Sequence, residues 1–431
     1  MIKNKVVKNS SWIIGCKIVQ SILSLIISML TARYLGPSNY GIISYAASIV
    51  NFIAPLMHLG LSNILVNETV QRPDEEGKIF GTAVGVSVIS SLACIAGVTG
   101  FTFVANHGDR ETIIVCALYS LLLIFQAVDL IQYWFQAKYL SKYTSIASVV
   151  AYFIVSVYKI YLLATNKSIY WFAVSNAIDY MIIAIALIVI YKKCGDQKLS
   201  FSFSVAKRML SSSRYYIISS LMVNVFAQTD KIMITLMKGK EYTGFYSAAV
   251  ACAGITSFVF AAIIDSARPA IFASKKNGNL AVFESNVSDL YCVITYLSLL
   301  QCLGMTLLAK PIILLLYGKA YLPAVAALRL IVWYTTFAYF GSVRNIWILA
   351  EEKQKYLWII NLSGAVMNIV LNAFLIPMWG IVGAAAASLA TQIFANVIVG
   401  FVIKPIRHNN LLMWRGLDIR RLGKLVRKMR G

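Results

Sequence analysis

The chain has 431 residues, 59% of them hydrophobic and 13% charged, and its mean hydropathy is +0.74. Soluble domains run about 45–50% apolar and about 25% charged, so this composition excludes an ordinary soluble protein and a disordered one. Lys and Arg exceed Asp and Glu by 39 to 17, a net charge of +22, yet they stand in short gaps between long apolar runs, a pattern of membrane proteins and not of nucleic-acid binders.

A helix needs about 20 mainly apolar residues to cross a hydrocarbon core about 30 Å thick. Twelve segments meet that length: 11–35, 40–66, 79–104, 112–136, 144–165, 171–191, 213–237, 244–268, 287–309, 325–349, 357–377 and 382–404. Lys3, Lys5 and Lys8 before the first run imitate a signal peptide, but no small-residue cleavage site leads into a soluble domain, so an uncleaved first helix is expected. That helix carries Lys17, Gln20, Ser21, Ser24, Ser28 and Thr31 at three- or four-residue steps, one continuous polar stripe. The second span has Ser44, Ser48, Asn51, Pro55, His58 and Ser62 on one stripe, and His58 reads as a packed or hydrogen-bonded residue before a proton carrier. In the fourth, Asp129 shares a face with Gln126, Gln132 and Gln136.

Lys159 lies six residues from the outer end of the fifth span and Asp179 eight from that of the sixth. At 1.5 Å per residue they reach about the same depth on antiparallel neighbours, which predicts a structural ion pair. The longest loop, 192–212, falls at the midpoint and reads as a linker between two halves. Beyond it the seventh span repeats a polar stripe in Ser213, Tyr216, Ser220, Asn224, Gln228, Lys231 and Thr235. The tail sets Leu422, Leu425, Val426 and Met429 at helical spacing among Arg and Lys, which fits either a surface helix on anionic lipid or a solvated tail.

Of the 39 Lys and Arg, 27 fall in loops or near span ends on the side of the termini and the linker, seven in loops or near span ends on the other side, and five deeper within spans. The positive-inside rule then puts both termini in the cytoplasm. A shift of 203 residues lays Gly36, Gly41, Ser44 and Ala46 on Gly239, Gly244, Ser247 and Ala249. It also brings the stripes of the first and seventh spans into one phase and sends Ser62 to Asp265. Six spans per half is an even number, so the halves share an orientation, as parallel transporter repeats do. The expected fold is an all-α integral membrane protein of about twelve transmembrane helices, in two six-helix lobes related by a pseudo-twofold axis along the membrane normal. Its expected divisions are an N-terminal lobe 1–195, a linker 196–212, a C-terminal lobe 213–404 and a basic cytoplasmic tail 405–431.

Serine rows inside spans either pack helix on helix or line a wet cavity. Charges are more telling, because a Lys or Asp near a helix centre costs about 2.5–3.5 kcal/mol on insertion scales unless paired or hydrated. Seven Cys are scattered singly without a CxxC pair, which excludes a disulfide framework or zinc site. No phosphate-binding loop or hydrolase motif appears, so neither an enzyme nor a cofactor is expected, and transport would run on an ion or substrate gradient.

The segments ARYLGPSNYGIISYAASIV (32–50), QYWFQAKYLSKY (132–143), Asp230-Lys231 followed by YTGFYSAAV (242–250), LLYGKAYLPAVAALRLI (315–331) and MNIVLNAFLIPMWGIVGAAAAS (367–388) carry a resemblance. In their order and spacing the chain resembles the Wzx-type polysaccharide flippases, which handle O-antigen or capsule repeat units, of the multidrug/oligosaccharidyl-lipid/polysaccharide exporter superfamily. The resemblance implies a two-lobed transporter of the bacterial cytoplasmic membrane. Such a protein moves an undecaprenyl-pyrophosphate-linked oligosaccharide from the inner to the outer leaflet. It implies charged cavity residues, for which Lys17, Asp230, Lys231 and Asp265 are the candidates. Membrane lipid and a polysaccharide polymerase with its chain-length machinery are the candidate partners. Residue chemistry agrees: Lys17 and Lys231 suit phosphate, Asn51, Asn224 and Gln228 suit hydroxyls, with His58 beside them, and Asp230 and Asp265 are candidates for ion coupling. The rival classes are a small-molecule cation antiporter of the same superfamily, whose cavity should be acidic, and a membrane-embedded polymerase or ligase, which should carry a large outer loop.

Overall fold

A computed structural model describes the backbone of residues 2–430, and their side chains apart from those of 2–14, 17, 18, 219, 425, 426 and 428–430. All regular structure among the described residues is helical. Nine helices there are long and apolar enough to cross a membrane, and the bent pair within Phe203–Lys238 makes a tenth. Two of the nine are each two helices joined across a non-helical glycine, Gly36 (φ 72°, ψ 172°) and Gly380 (φ 57°, ψ −131°). Counted as pairs, they bring the spans to the expected twelve.

The break at Gly36 has a local cause. A positive φ with extended ψ is open essentially to glycine alone, and Pro37 then starts the next helix where its missing N–H costs nothing. Gly239, its counterpart under the 203-residue shift, has φ 101° and ψ 170°. The repeat therefore recurs in backbone conformation as well as in residue type.

Contacts divide the chain into two compact units, Met1–Leu236 and Met237–Gly431. Unit 1 contains α1 (Ile2–Met57), α2 (Leu65–Gln71), α3 (Glu76–Ala105), α4 (Arg110–Ser120), α5 (Leu122–Asp129), α6 (Gln132–Ala137), α7 (Ser141–Ala164), α8 (Ile169–Cys194) and most of α9 (Phe203–Lys238). One end is packed around Phe80, Trp134, Phe135, Leu187 and Tyr191, the other around Ile42, Tyr45, Val115 and Ala173.

The expected linker 196–212 is not a free connection. Residues 203–212 already belong to α9, with Val205 and Met209 buried beside Trp134 and Tyr191. The compact unit continues to Leu236, beyond the expected lobe border at 213. Ahead of α9 the chain lies as an extended strap on α3, where Gly77, Gly81 and Gly85 share one face at four-residue steps. Gly77 N donates to Gln197 Oε1 (2.9 Å), Ser200 N to the Gly77 carbonyl (3.1 Å) and Ser202 N to Thr82 Oγ1 (2.9 Å).

Unit 2 contains α10 (Lys240–Ala253), α11 (Ser257–Lys276), α12 (Leu280–Leu307), α13 (Ala309–Leu316), α14 (Ala324–Ala350), α15 (Leu357–Ile393), α16 (Val399–Val402), α17 (Arg407–Gly416) and α18 (Ile419–Arg430). Its core is built on Phe260, Phe283, Tyr291, Phe340 and Trp347. The expected span 244–268 is two helices, parted by a short turn after Ala253. The first part of the expected tail is not free, because one face of α17 packs on α12. Gly416 packs where a Cβ would stand 2.6 Å from Tyr291 Cβ, and Asn409 Nδ2 donates to the Tyr291 hydroxyl at 3.0 Å. Farther on, Arg421 pairs with Asp289 at 2.5 Å. The side chains of Leu425, Val426 and Met429, on which the lipid-surface expectation rests, lie outside the described residues.

Candidate functional site

The residues expected to meet the substrate do not form one constellation. The Lys17 side chain lies outside the described residues. Asn51 is exposed, and His58 sits in the turn after α1 with Nδ1 buried and without a hydrogen-bond partner. On α9, Asn224 donates to the Ser220 carbonyl at 3.1 Å, and Gln228, Asp230 and Lys231 are half-buried. No hydrogen bond among the described residues joins Asn51, His58, Asn224 and Gln228 to one another.

Two expectations are corrected. Asp265 is not a secluded acid: its side chain is 60% exposed and pairs at 3.0 Å with Arg268. The helix runs on to Lys276, past the expected span end, so Arg268 stands one turn along the same face. Lys159 and Asp179 act on each other electrostatically but do not meet in the expected direct ion pair. Lys159 Nζ donates to Asn176 Oδ1 at 3.2 Å, and Asp179 Oδ1 is buried without a hydrogen-bond partner. Depth along the helix was matched to within a turn, but Asn176 stands three residues, one turn, before Asp179 and takes the ammonium.

What the fold does gather, wholly inside unit 1, is a polar cavity of about 370 Å³. From α1 it takes Cys16 and Gln20. The turn between α5 and α6 brings Asp129, Gln132 and Gln136 to one wall, and Gln132 Nε2 donates to Asp129 Oδ2 at 2.5 Å. The first turns of α7 add Ser141, Thr144, Ser145 and Ser148, whose spacing is one helical face. Asp179, Tyr180 and Ile183 come from α8. No Lys or Arg is among these lining residues. The wall can accept from hydroxyls and amines through its carboxylates, and exchange hydrogen bonds in both senses through its amides and hydroxyls.

In the sequence the remaining charges read only as positive-inside bias, and the structure pairs many of them. In unit 1 the buried Glu76 meets Lys138 at 2.5 Å and accepts from Trp134 Nε1 at 2.7 Å. Arg208 reaches Glu75 at 2.8 Å and Glu68 at 3.4 Å, so the start of α9 is pinned beside the strap. In unit 2 Glu351 joins Lys275 and Lys353. Burial alone would raise the Glu351 carboxyl, but the two ammonium groups outweigh it and hold the pKa below the ordinary glutamate value. Arg344, only 3% exposed, donates to the Ala395 carbonyl at 2.6 Å, at the π-helical turn Phe394–Ile398. Alternating charge in the 67–78 and 350–356 loops was the available signal, but it names no partner.

The family described as Polysaccharide biosynthesis protein matches residues 6–275, more than half of the chain. Over 397 residues, 88% of this chain and 92% of the relative, the sequence is 21% identical to the "Putative O-antigen transporter" of Escherichia coli (strain K12). Among solved structures, the lipid II flippase MurJ in an inward closed conformation superposes with a TM-score of 0.70 at 16% identity, covering 93% of this chain and 90% of that one. An inward-facing multidrug resistance MATE family transporter of the MOP superfamily gives 0.66 at 13% identity, covering 91% and 95%. Those identities speak to the fold alone, which is the one the sequence resemblance implied. The match over 6–275, carried on a fold shared along nearly the whole chain with those transporters, makes this chain a member of the polysaccharide biosynthesis protein family.

Proposed function

We propose that the chain is a flippase that carries an undecaprenyl-pyrophosphate-linked oligosaccharide from the inner to the outer leaflet of the bacterial cytoplasmic membrane. The observation that carries the reading is the coincidence of a polysaccharide-assembly family with the fold of a lipid flippase. A substrate with a pyrophosphate and many hydroxyls needs cationic and amide-bearing walls to cross hydrocarbon. Lys17 and Lys231 are assigned to the pyrophosphate at successive stages, with Asn51, Asn224 and Gln228 for hydroxyls. Asp230 is the acid we assign to coupling with an ion gradient. Alternating access by the two lobes, with both termini cytoplasmic, completes the scheme.

The test is a leaflet assay. Full-length protein is reconstituted into vesicles loaded with lipid-linked oligosaccharide, and sugar exposed to an external lectin is followed. The expected result is protein-dependent exposure within minutes; a rate equal to that of protein-free vesicles refutes the function. A second reading, small-molecule cation antiport, draws on the acidic cavity of unit 1 and is tested in the same vesicles by efflux of a fluorescent organic cation.

A further inference from the structure

We infer that the cavity inside unit 1 is a sugar subsite, which takes the hydroxyl- and amide-bearing end of the oligosaccharide. The identity of the ligand rests on the flippase reading; the site rests on the cavity itself.

Hydrogen bonding decides which part of such a substrate enters. The described lining holds two carboxylates, Asp129 and Asp179, beside amides and hydroxyls. Hydroxyl and acetamido N–H groups are donors, and the wall offers acceptors for them. Asp179 brings a carboxylate to this wall as an acceptor. Gln20, Gln132 and Ser148 give and accept in turn, which suits a polyol. Tyr180 adds an aromatic side chain against which a sugar's C–H face can rest.

Size argues against a bare cation. The volume of about 370 Å³ is that of about a dozen waters at about 30 Å³ each, and it falls in the range of small-molecule sites, about 300–1,000 Å³. A hard cation instead draws several oxygens to one point. No group of three or more His, Cys, Asp or Glu gathers for that among the described residues, and one Asp129 oxygen is engaged by Gln132.

Cys16 lines the cavity and supplies the probe. Cys194 is the exposed competitor, and the other five cysteines are buried. In the full-length Cys194→Ser protein, N-ethylmaleimide labelling of Cys16 is timed with three additions. These are the lipid-linked oligosaccharide of the source cells, the same oligosaccharide released by mild acid, and undecaprenyl pyrophosphate alone. The first two should slow labelling and the third should not. Asp179→Asn, of the same shape, should weaken protection about tenfold, in line with the loss of one charge-assisted hydrogen bond. Ser148→Val, which fills the wall with a methyl pair, should abolish protection while membrane abundance holds. Protection by undecaprenyl pyrophosphate alone, by sodium or acid without sugar, or by nothing overturns the subsite. The leaflet assay keeps the two readings apart: sugar protection without flipping refutes the function and leaves the site, and flipping without protection does the reverse.

Discussion

Replacing Gly81 by Ala tests whether the strap is held by shape. An ideal Cβ at Gly81 would lie 2.4 Å from both the nitrogen and the oxygen of Ser200, and 2.8 Å from its carbonyl carbon. All three are backbone atoms, so no rotamer relieves the clash, and ordinary carbon contacts of about 3.5–4.0 Å require the strap to retreat by about 1 Å. That breaks the hydrogen bonds from Ser200 N to the Gly77 carbonyl and from Ser202 N to Thr82 Oγ1, and strains that from Gly77 N to Gln197 Oε1. At about 0.5–1.5 kcal/mol each the loss is roughly 2–4 kcal/mol, against a gain of about 1 kcal/mol from Gly to Ala inside a helix. Opening of the strap should therefore become easier by about 1–3 kcal/mol, or about 5–150-fold. Lys198 is exposed on the strap, so trypsin cleavage there reads the opening directly when reclosing is fast. Gly100, on the same helix with nothing within 4 Å of its ideal Cβ, is the control. Equal cleavage in wild type and Gly81→Ala, or equal acceleration in Gly100→Ala, would refute the reasoning.

Glu351 should make unit 2 sensitive to acid: its pKa is held below the ordinary value near 4.5, so its contribution is full above that value and disappears as pH falls through the lower, folded one. Thermal unfolding of the purified protein from pH 7 down to about pH 3 should show that loss below about pH 4.5 in wild type and a flatter profile in Glu351→Gln; parallel profiles count against the pairing. Because Lys159 bonds Asn176, Asn176→Ala should lower folded protein by the cost of an unmet buried charge partner, about 1–3 kcal/mol, while Asp179→Asn leaves abundance near normal. The reverse order in a thermal-shift measurement would restore the Lys159–Asp179 pair. At Lys17 and Lys231, Arg should retain part of the oligosaccharide export and Gln none, with membrane abundance unchanged; export by the Gln variants would assign these lysines to packing. Reporter fusions at Lys193 and Gly431 should both lie in the cytoplasm, and an outer location of either overturns the expected orientation.

The spans were legible because the bilayer imposes a length on apolar runs that composition alone displays. Breaks were legible where a residue type forces them, as at Gly36 before Pro37, whose φ of 72° recurs as 101° at Gly239 under the 203-residue shift. Helix ends were less so. The segment 196–212 has Ser and Lys enough to look like a loop, yet its second half joins α9, because Val205 and Met209 find an apolar seat beside Trp134. The strap was hidden for a related reason: glycines four apart on a membrane helix say that something comes close, and not that it is the chain's own extended segment.

The site residues divide by what fixes them. Depth in the membrane follows from counting along a helix at about 1.5 Å per residue, but azimuth does not survive an error of a few residues in the ends, since each residue turns the helix by about 100°. Lys159 therefore found Asn176, one turn from the acid that depth proposed, and Asp265 found Arg268 on its own helix. Asp129 had no partner of matching depth in the sequence, and its neighbour proved to be Gln132, across a turn between two short helices that the reading as one span erased. That turn bends the wall of the cavity, and it is where the face of Gln126, Asp129, Gln132 and Gln136 changes from a stripe into a concave surface. Polar stripes on consecutive spans thus mark which faces are wet, while the breaks within spans decide where those faces enclose a volume. In this chain the described wall of that volume is acidic, amide-rich and hydroxyl-bearing, and it is drawn from α1, the turn between α5 and α6, α7 and α8.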